Sequence, residues 1–354
     1  MVAHPPELPD SVQTELTHLF EEIAKHKHGK LIRQVFETLL RMMGQEAERL
    51  DWKILNSALQ DMEKGFTTFQ PYAHTRKITM FGSARLAPDT PEYKMAREFG
   101  EQITKRGFMV MTGAGGGIMQ AGNEGAGPEN SFGLNIHLPF EQGANPIIED
   151  DPKLIFFKYF FTRKLFFLKE SDAIALFPGG FGTQDEAFEA LTLIQTGKAG
   201  PLPLVLVDRP GGDYWYNWDR YLKEQLLSNN LVSPHDVYLY QITEDVEEAC
   251  DLITNFYQVY HSSRFVGDRL VIRLRCPLSD ELIDQLNFDF SDLLAKGKIE
   301  PSGALPEEKG DETEDLPRLV MHFNHRDFGR LHLMIRMINK FGSHSPETDH
   351  PEEK

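Results

Sequence analysis

A short apolar run, Ala173-Ile174-Ala175-Leu176-Phe177, opens directly into Pro178-Gly179-Gly180-Phe181-Gly182-Thr183-Gln184-Asp185-Glu186. The residues that follow, 187–194, carry a helical pattern of apolar positions. A buried strand feeding a glycine-rich turn and then a helix leaves several backbone N–H groups aimed at one point, and the positive end of the helix dipole adds to them. Such a point suits a phosphate. Gly179, Gly180 and Gly182 let the backbone approach an anion, and the Thr183 hydroxyl can donate one more hydrogen bond. Glu186 is out of keeping with an anion site. Read as part of the first helical turn, it lies within reach of whatever the phosphate carries: a sugar with hydroxyls, or a reacting carbon.

The segment around this turn alternates strands and helices. Strands are predicted at 77–82, 108–112, 131–138, 173–177, 202–207 and 236–240, and helices at 91–106, 118–126, 156–170, 183–197, 216–228 and 244–260. This alternation predicts an α/β fold with a Rossmann-like, doubly wound parallel sheet, in which ligands sit beyond the carboxyl ends of the strands. Two more glycine-bearing turns fall at such ends: Gly82-Ser83 after the first strand, and Gly113-Ala114-Gly115-Gly116-Gly117-Ile118-Met119 after the second. All three turns are expected to converge on one crevice. The second is not a dinucleotide fingerprint, because Ile118 stands where the third glycine belongs and Asn135-Ile136-His137 replaces the acid that would hold a ribose. No Gly-x-x-x-x-Gly-Lys-Ser/Thr sequence occurs, which removes P-loop chemistry.

The spacing Gly-Gly-x-Gly-Thr-x-x-Glu after Pro178 resembles the signature of the LOG family, phosphoribohydrolases that release a base from a nucleoside 5′-monophosphate. Phe81-Gly82-Ser83-Ala84-Arg85, Gly113 to Met119 and Arg163-Lys164 fall in the order that family uses, so the resemblance covers about residues 76–262. It implies that Arg163 and Glu186 are the catalytic pair. With the reading of the loops, it places Gly82, Ser83, Gly115, Gly116, Gly117, Met119, Lys164, Gly179, Gly180, Gly182 and Thr183 around the substrate, with no cofactor and no metal. It also implies a homodimer or larger. A general purine nucleotide is the expected substrate rather than a cytokinin nucleotide in particular, because the two ends of the chain depart from the minimal LOG architecture.

Cleaving an N-glycosidic bond builds positive charge on the sugar, and Glu186 can stabilise that charge, hold the ribose hydroxyls or activate water. Arg163 carries a planar fork of donors suited to phosphate, carboxylate or ribose oxygens. The alternative is a non-catalytic nucleotide or molybdenum-cofactor carrier of the same fold, against which the presence of both Arg163 and Glu186 argues. Members of this family are sometimes labelled lysine decarboxylases, a reaction that needs pyridoxal phosphate on a lysine. None of the motifs supplies a lysine in such a setting.

Composition narrows the class further. A net charge of −17 argues against a nucleic-acid polymer or an anionic membrane as partner. Cys250 and Cys276 are the only cysteines, which fits a reducing compartment. The N-terminus shows no signal-peptide pattern, and the apolar stretch 154–168 is interrupted by Lys158, Arg163 and Lys164, so a cytoplasmic protein without a membrane span is expected. The close histidine pairs, His26/His28 and His322/His325, lack a metal-binding framework.

The expected organisation is a helical extension at 1–74, the nucleotide-binding domain at 75–262, a small α+β unit at 263–343 and a disordered tail at 344–354. Ser11 is placed to cap the first helix, whose stripe includes Val12 and Leu16. In the small unit, strands near 270–274 and 319–321 alternate with helices carrying Leu282 and Leu286, then Leu331, Met334 and Ile335. The acid- and proline-rich stretch 301–317 between them is predicted to be a mobile linker. Phe156, Phe157, Phe160, Phe161, Phe166 and Phe167 offer more apolar surface than one face of a sheet can cover, which predicts a subunit interface.

Overall fold

The structure, a computed structural model, describes residues 10–45, 47–136 and 143–342. The tail at 344–354, the end of the third predicted strand at 137–138, and the side chains of Ser11, Val12 and Leu16 lie outside the described residues. The chain forms two compact units that meet in sequence between Met62 and Glu63.

The first unit holds α1 (Asp10–Ala24), α2 (Gly29–Met43) and most of α3 (Arg49–Phe69). Phe20 of α1 meets Phe36 of α2 edge-on at 6.3 Å, and the Arg33 guanidinium lies over the Phe20 ring. A Cβ on Gly29 would sit 2.1 Å from the Ile23 carbonyl oxygen, so only glycine lets α2 start this close to the end of α1. Leu31 and Val35 on α2 remain exposed.

The second unit contains a seven-stranded parallel sheet in the order β4-β3-β2-β1-β5-β6-β7. Its strands are β1 (Lys77–Phe81), β2 (Met109–Thr112), β3 (Ser131–Ile136), β4 (Leu154–Phe157), β5 (Ala173–Leu176), β6 (Leu204–Val207) and β7 (Gln241–Thr243). Helices α4 (Pro91–Lys105), α5 (Ile118–Ala126), α6 (Phe160–Lys169), α7 (Phe181–Gln195), α8 (Tyr214–Tyr221) and α9 (Val246–Asn255) connect them. The central strands are buried along their whole length, as a sheet covered on both faces requires. Helix starts follow capping chemistry: the Thr90 hydroxyl accepts from the Tyr93 amide with Pro91 in the first turn, and Asp245 accepts from the Glu248 amide at 2.7 Å.

Two sequence expectations change here. The apolar run read as a helix over 156–170 is a strand followed by a shorter helix, because Leu154–Phe157 pairs with β3 and Tyr159, in extended backbone, separates the two. The strand expected at 236–240 is a 3-10 helix at Asp236–Leu239, and the edge strand follows it at Gln241–Thr243. A π-helical turn, Leu222–Leu227, extends α8.

The C-terminal part is larger than two strands and two helices. Strands β8 (Tyr260–Val266), β9 (Arg269–Leu274), β10 (Leu294–Ser302) and β11 (Arg318–Phe323) form an antiparallel sheet in the order β10-β11-β9-β8, with α10 (Asp280–Asp289) and α11 (Phe328–Gly342). Its apolar face joins the main sheet in one core: Phe177, Val205 and Ile253 share a cluster with Ile272, Leu286 and Ile335. The stretch 301–317 is not a free linker. Glu308 is fully buried between Arg318 (2.9 Å) and Arg273 (2.6 Å), and Asp311 pairs with Arg264 at 2.7 Å. A carboxylate held this way keeps its charge, with those guanidiniums and the Leu305 amide overcoming burial to hold it below the usual carboxylate range.

No helix among the described residues is long and apolar enough to cross a membrane. Of the phenylalanines between 156 and 167, Phe157, Phe166 and Phe167 are buried, while Phe160 and Phe161 are each about half exposed. Phe166 packs on Phe66 and Phe69 of α3, and Gly65 gives it room, since a Cβ there would lie 2.2 Å from the ring.

Candidate functional site

The chain runs outward from β1 through β2, β3 and β4, then returns to place β5 on the other side of β1. That reversal opens a crevice at the carboxyl ends of β1 and β5. The loops bounding it touch: the Ser83 amide donates to the Pro178 carbonyl at 3.1 Å, and the Ile118 amide donates to the Ser83 carbonyl at 3.0 Å. The three glycine-bearing turns therefore converge, around a cavity of about 790 Å³.

The loop after β5 forms one wall. Helix α7 begins at Phe181 with Gly180 as its cap, and the first intrahelical bond runs from the Gln184 amide to the Gly180 carbonyl. The amides of Phe181, Gly182 and Thr183 thus have no intrahelical partner. A Cβ on Gly180 or Gly182 would meet nothing within 4 Å, so both present bare backbone to open space. Gly179 differs: a Cβ there would lie 2.1 Å from Thr183 Oγ1 and 2.9 Å from the Ser83 amide nitrogen. Its carbonyl accepts from the Tyr214 hydroxyl at 2.5 Å, and that hydroxyl accepts in turn from Gln184 Nε2.

The loop after β2 is packed. Ala114 and Gly117 both adopt positive φ, 58° and 60°, and a Cβ on Gly117 would sit 2.2 Å from the Ser83 carbonyl oxygen. Thr112 Oγ1 donates to Asn123 Oδ1 at 2.8 Å and accepts from the Ala114 amide, while Asn145 Nδ2 donates to Asn123 Oδ1 and the Gly115 carbonyl. This buried network holds the turn. A Cβ on Gly113 would lie 2.4 Å from Arg163 Nη2 and 2.6 Å from Met119 Sδ, so Gly113 is the gap into which the guanidinium fits. Arg163 is further fixed by a 2.7 Å bond from Nε to the Leu134 carbonyl and by stacking over Phe167.

Glu186 comes from the second turn of α7 rather than the first, because the helix starts at Phe181. It is nearly buried, at 12% exposure. Burial pushes its carboxyl above the ordinary range, against the opposing pull of Lys164. Lys164 reaches Glu186 at 3.3 Å, Asp185 at 3.0 Å and also Glu189. Burial alone would lower the Lys164 ammonium, but the bonds to Glu189 and Asp185 and the Glu186 charge outweigh it and leave the pKa raised. One ammonium among three carboxylates cannot neutralise them all.

Gly82, Ser83, Gly115, Met119, Arg163, Gly179, Gly180, Gly182, Thr183 and Glu186 all line the cavity. Gly116, Gly117 and Lys164 do not: Gly117 shapes the turn, Gly116 faces the Ala84 carbonyl, and Lys164 is turned toward its carboxylates. The lining also includes residues the sequence reading left out of the site, notably Gly113, Asn135, Phe160 and the fully exposed Phe181. Gly113 lay inside a motif already recognised; Asn135 and Phe160 carry no local signal.

Residues 111–253 match the family model described as Possible lysine decarboxylase. The matched segment spans less than half of the chain and contains the loop after β5 and helix α7. No curated protein matches the sequence. Solved structures are similar over half of the chain. The molybdenum cofactor binding protein from Rippkaea orientalis is 20% identical, covering 50% of this chain and 93% of its own, with a TM-score of 0.36. The molybdenum cofactor carrier protein from Chlamydomonas reinhardtii is 20% identical over 49% of this chain and 92% of its own, TM-score 0.32. DNA processing protein A from Helicobacter pylori is 14% identical over 51% of this chain and 80% of its own, TM-score 0.35.

Proposed function

We propose that the LOG-type domain hydrolyses the N-glycosidic bond of a purine nucleoside 5′-monophosphate, giving free base and ribose 5-phosphate. The family match supports a nucleotide-related function. The observation that carries the finer reading is the pairing, in one cavity, of helix amides that lack an intrahelical partner with a nearly buried carboxyl and a fixed guanidinium.

In this reading the 5′-phosphate sits on the amides of Phe181, Gly182 and Thr183, against the bare backbone of Gly180 and Gly182. The ribose then lies up the helix toward Glu186. As the bond to the base breaks, positive charge develops on the sugar ring, and the Glu186 carboxylate stabilises it or takes a proton from the attacking water. Arg163, which cannot lose its charge, holds ribose or phosphate oxygens at the opposite wall. Glu186 supplies no proton to the departing base once ionised, so the base takes its proton from another donor.

Pyridoxal phosphate, which the family description would imply, does not fit this cavity. A Schiff base needs a lysine amine that can shed its proton, and among the described residues no lysine lines the cavity. Lys164, adjacent to it, is bound to Asp185, Glu186 and Glu189 with its pKa raised.

The same proposal includes a homodimer, for which Phe160, Phe161 and Leu165 on α6 supply exposed apolar surface. Incubating the protein with AMP, GMP and the matching nucleosides, and chromatographing for free base, tests the reaction. Base release from the nucleotides alone supports it. Nucleotide binding without any release converts the site into that of a carrier.

A further inference from the structure

One side chain of the nucleotide cavity has no part in the chemistry described so far. Asn135, next to the last residue of β3, is only 6% exposed, yet it lines the cavity. Side chains alternate along a strand, so Asn135 shares a face with Gly133. A Cβ on Gly133 would press on Ala114 at 2.9 Å and on Ile148 at 3.1 Å. Asn135 stands one pleat nearer the carboxyl end, where the cavity begins.

The orientation of its amide is set by the backbone. The Ile136 N–H donates to Asn135 Oδ1 at 2.6 Å. A backbone N–H can only donate, so the atom facing it is the oxygen and the atom turned away is Nδ2. Nδ2 meets no acceptor among the described residues and is not sealed from the cavity. A donor on a nearly buried side chain, without a protein acceptor, is a group that a ligand can satisfy.

The place of Asn135 decides which part of a ligand it meets. In the sheet order β3 lies three strands from β5, a span of about 14 Å at roughly 4.8 Å per strand. The helix amides that take the phosphate follow β5. Arg163 stands between the two ends, its Nε bonded to the carbonyl of Leu134, and Glu186 lines the same space. Phosphate, ribose and base laid along this line put the base against Asn135.

We propose that Asn135 reads the base, donating from Nδ2 to the O6 and N7 edge of a 6-oxopurine, so that the site favours GMP and IMP over AMP. This inference rests on the nucleotide reading of the cavity. An asparagine with both amide atoms free suits adenine, whose N7 accepts and whose N6 donates, whereas guanine presents acceptors at both O6 and N7. With Oδ1 turned to Ile136, Asn135 offers the donor alone. Adenine then faces a donor with its own amino group, which is left unpaired. The same hydrogen bond strengthens during cleavage. The electron pair of the C1′–N9 bond leaves with the base, and part of the charge settles on O6 and N7. No proton passes from Asn135; it stabilises the departing base as a hydrogen-bond donor.

The test compares base release from GMP, IMP and AMP by the full-length protein, by Asn135→Leu and by Asn135→Asp, with nucleotide binding followed by calorimetric titration. The parent is expected to show kcat/KM about tenfold higher for GMP and IMP than for AMP, within the range that one such contact supplies. Asn135→Leu removes the donor and is expected to erase the difference, lowering GMP and IMP while leaving AMP nearly unchanged. Asn135→Asp keeps the shape and still accepts from Ile136, but turns an acceptor toward the base, so the preference is expected to reverse in favour of AMP. A parent that treats the three nucleotides alike or prefers AMP overturns the proposal and leaves the nucleosidase reading standing. An equal loss on all three in both variants also overturns it, since Asn135 then only supports the fold. If GMP binds more tightly than AMP and loses that lead in Asn135→Leu, but no base is released, the nucleosidase reading falls and the role of Asn135 stands.

Discussion

The loops after β2 and β5 are both glycine-rich and both reach the same cavity, yet their glycines serve opposite ends. After β5, Gly180 and Gly182 face open space, so their missing side chains matter only to a ligand. After β2, Gly113 and Gly117 are pressed against Arg163, Met119, Ser83 and Ala84, so their missing side chains matter to the protein itself. A glycine run in a sequence cannot be assigned to one role as a whole. One loop leaves its backbone open to the cavity; the other shapes the wall and seats the guanidinium.

Substitution at single glycines separates the two loops. Gly117→Ala combines a positive φ with a backbone contact of 2.2 Å, neither of which a side chain can relieve by rotating. Each effect costs about 1–3 kcal/mol, and chemical denaturation is expected to show a clear loss of stability. A variant as stable as the parent breaks the comparison. Gly113→Ala meets only the ends of the flexible Arg163 and Met119 side chains. Its fold is expected to survive while Arg163 moves, and a displacement of about 1 Å can cost ~100-fold in turnover. Gly182→Ala, with open space around the new methyl, is expected to leave the melting temperature unchanged or slightly raised and to increase KM for the nucleotide. Tyr214→Phe removes one hydrogen bond to the Gly179 carbonyl, worth about 1 kcal/mol, so KM is expected to rise several-fold with kcat nearly unchanged.

The pH dependence of Glu186 sharpens the same contrast. Its folded-state pKa is raised above 4.5, so the stability linked to its protonated form is present at low pH and lost as pH rises through the folded value. Ionising the buried side chain therefore weakens the fold, and Glu186→Gln is expected to melt no lower than the parent. The acid limb of kcat/KM is expected above pH 4.5 for the same reason.

The parallel sheet and its converging loops were legible because strand-like and helical patterns alternated along the chain and β1, β2 and β5 each run into a glycine-bearing turn. The strand β4 was hidden because Leu154–Phe157 merges with the apolar face of α6, and only pairing with β3 distinguishes them. The segment 301–317 read as mobile because its charges were counted without partners; Arg273 and Arg318, which bury Glu308, are recognised only when the antiparallel sheet brings them together. For the candidate site, the loop glycines stood out by their place after strands, and Arg163 and Glu186 were singled out through the family resemblance of their motifs. That Lys164 turns to Asp185, Glu186 and Glu189 depended on how α6 packs beside α7, which no local pattern records.

Base release from AMP and from adenosine, by the parent protein and by Glu186→Gln, tests the central proposal most directly. The parent is expected to cleave AMP and to act on adenosine far more slowly, since losing the phosphate removes charge-assisted contacts worth roughly 1.5–3 kcal/mol each. Glu186→Gln is expected to bind AMP with near-parental affinity and to release base more slowly by orders of magnitude. Near-parental turnover in Glu186→Gln, or equal rates on AMP and adenosine, would contradict the account.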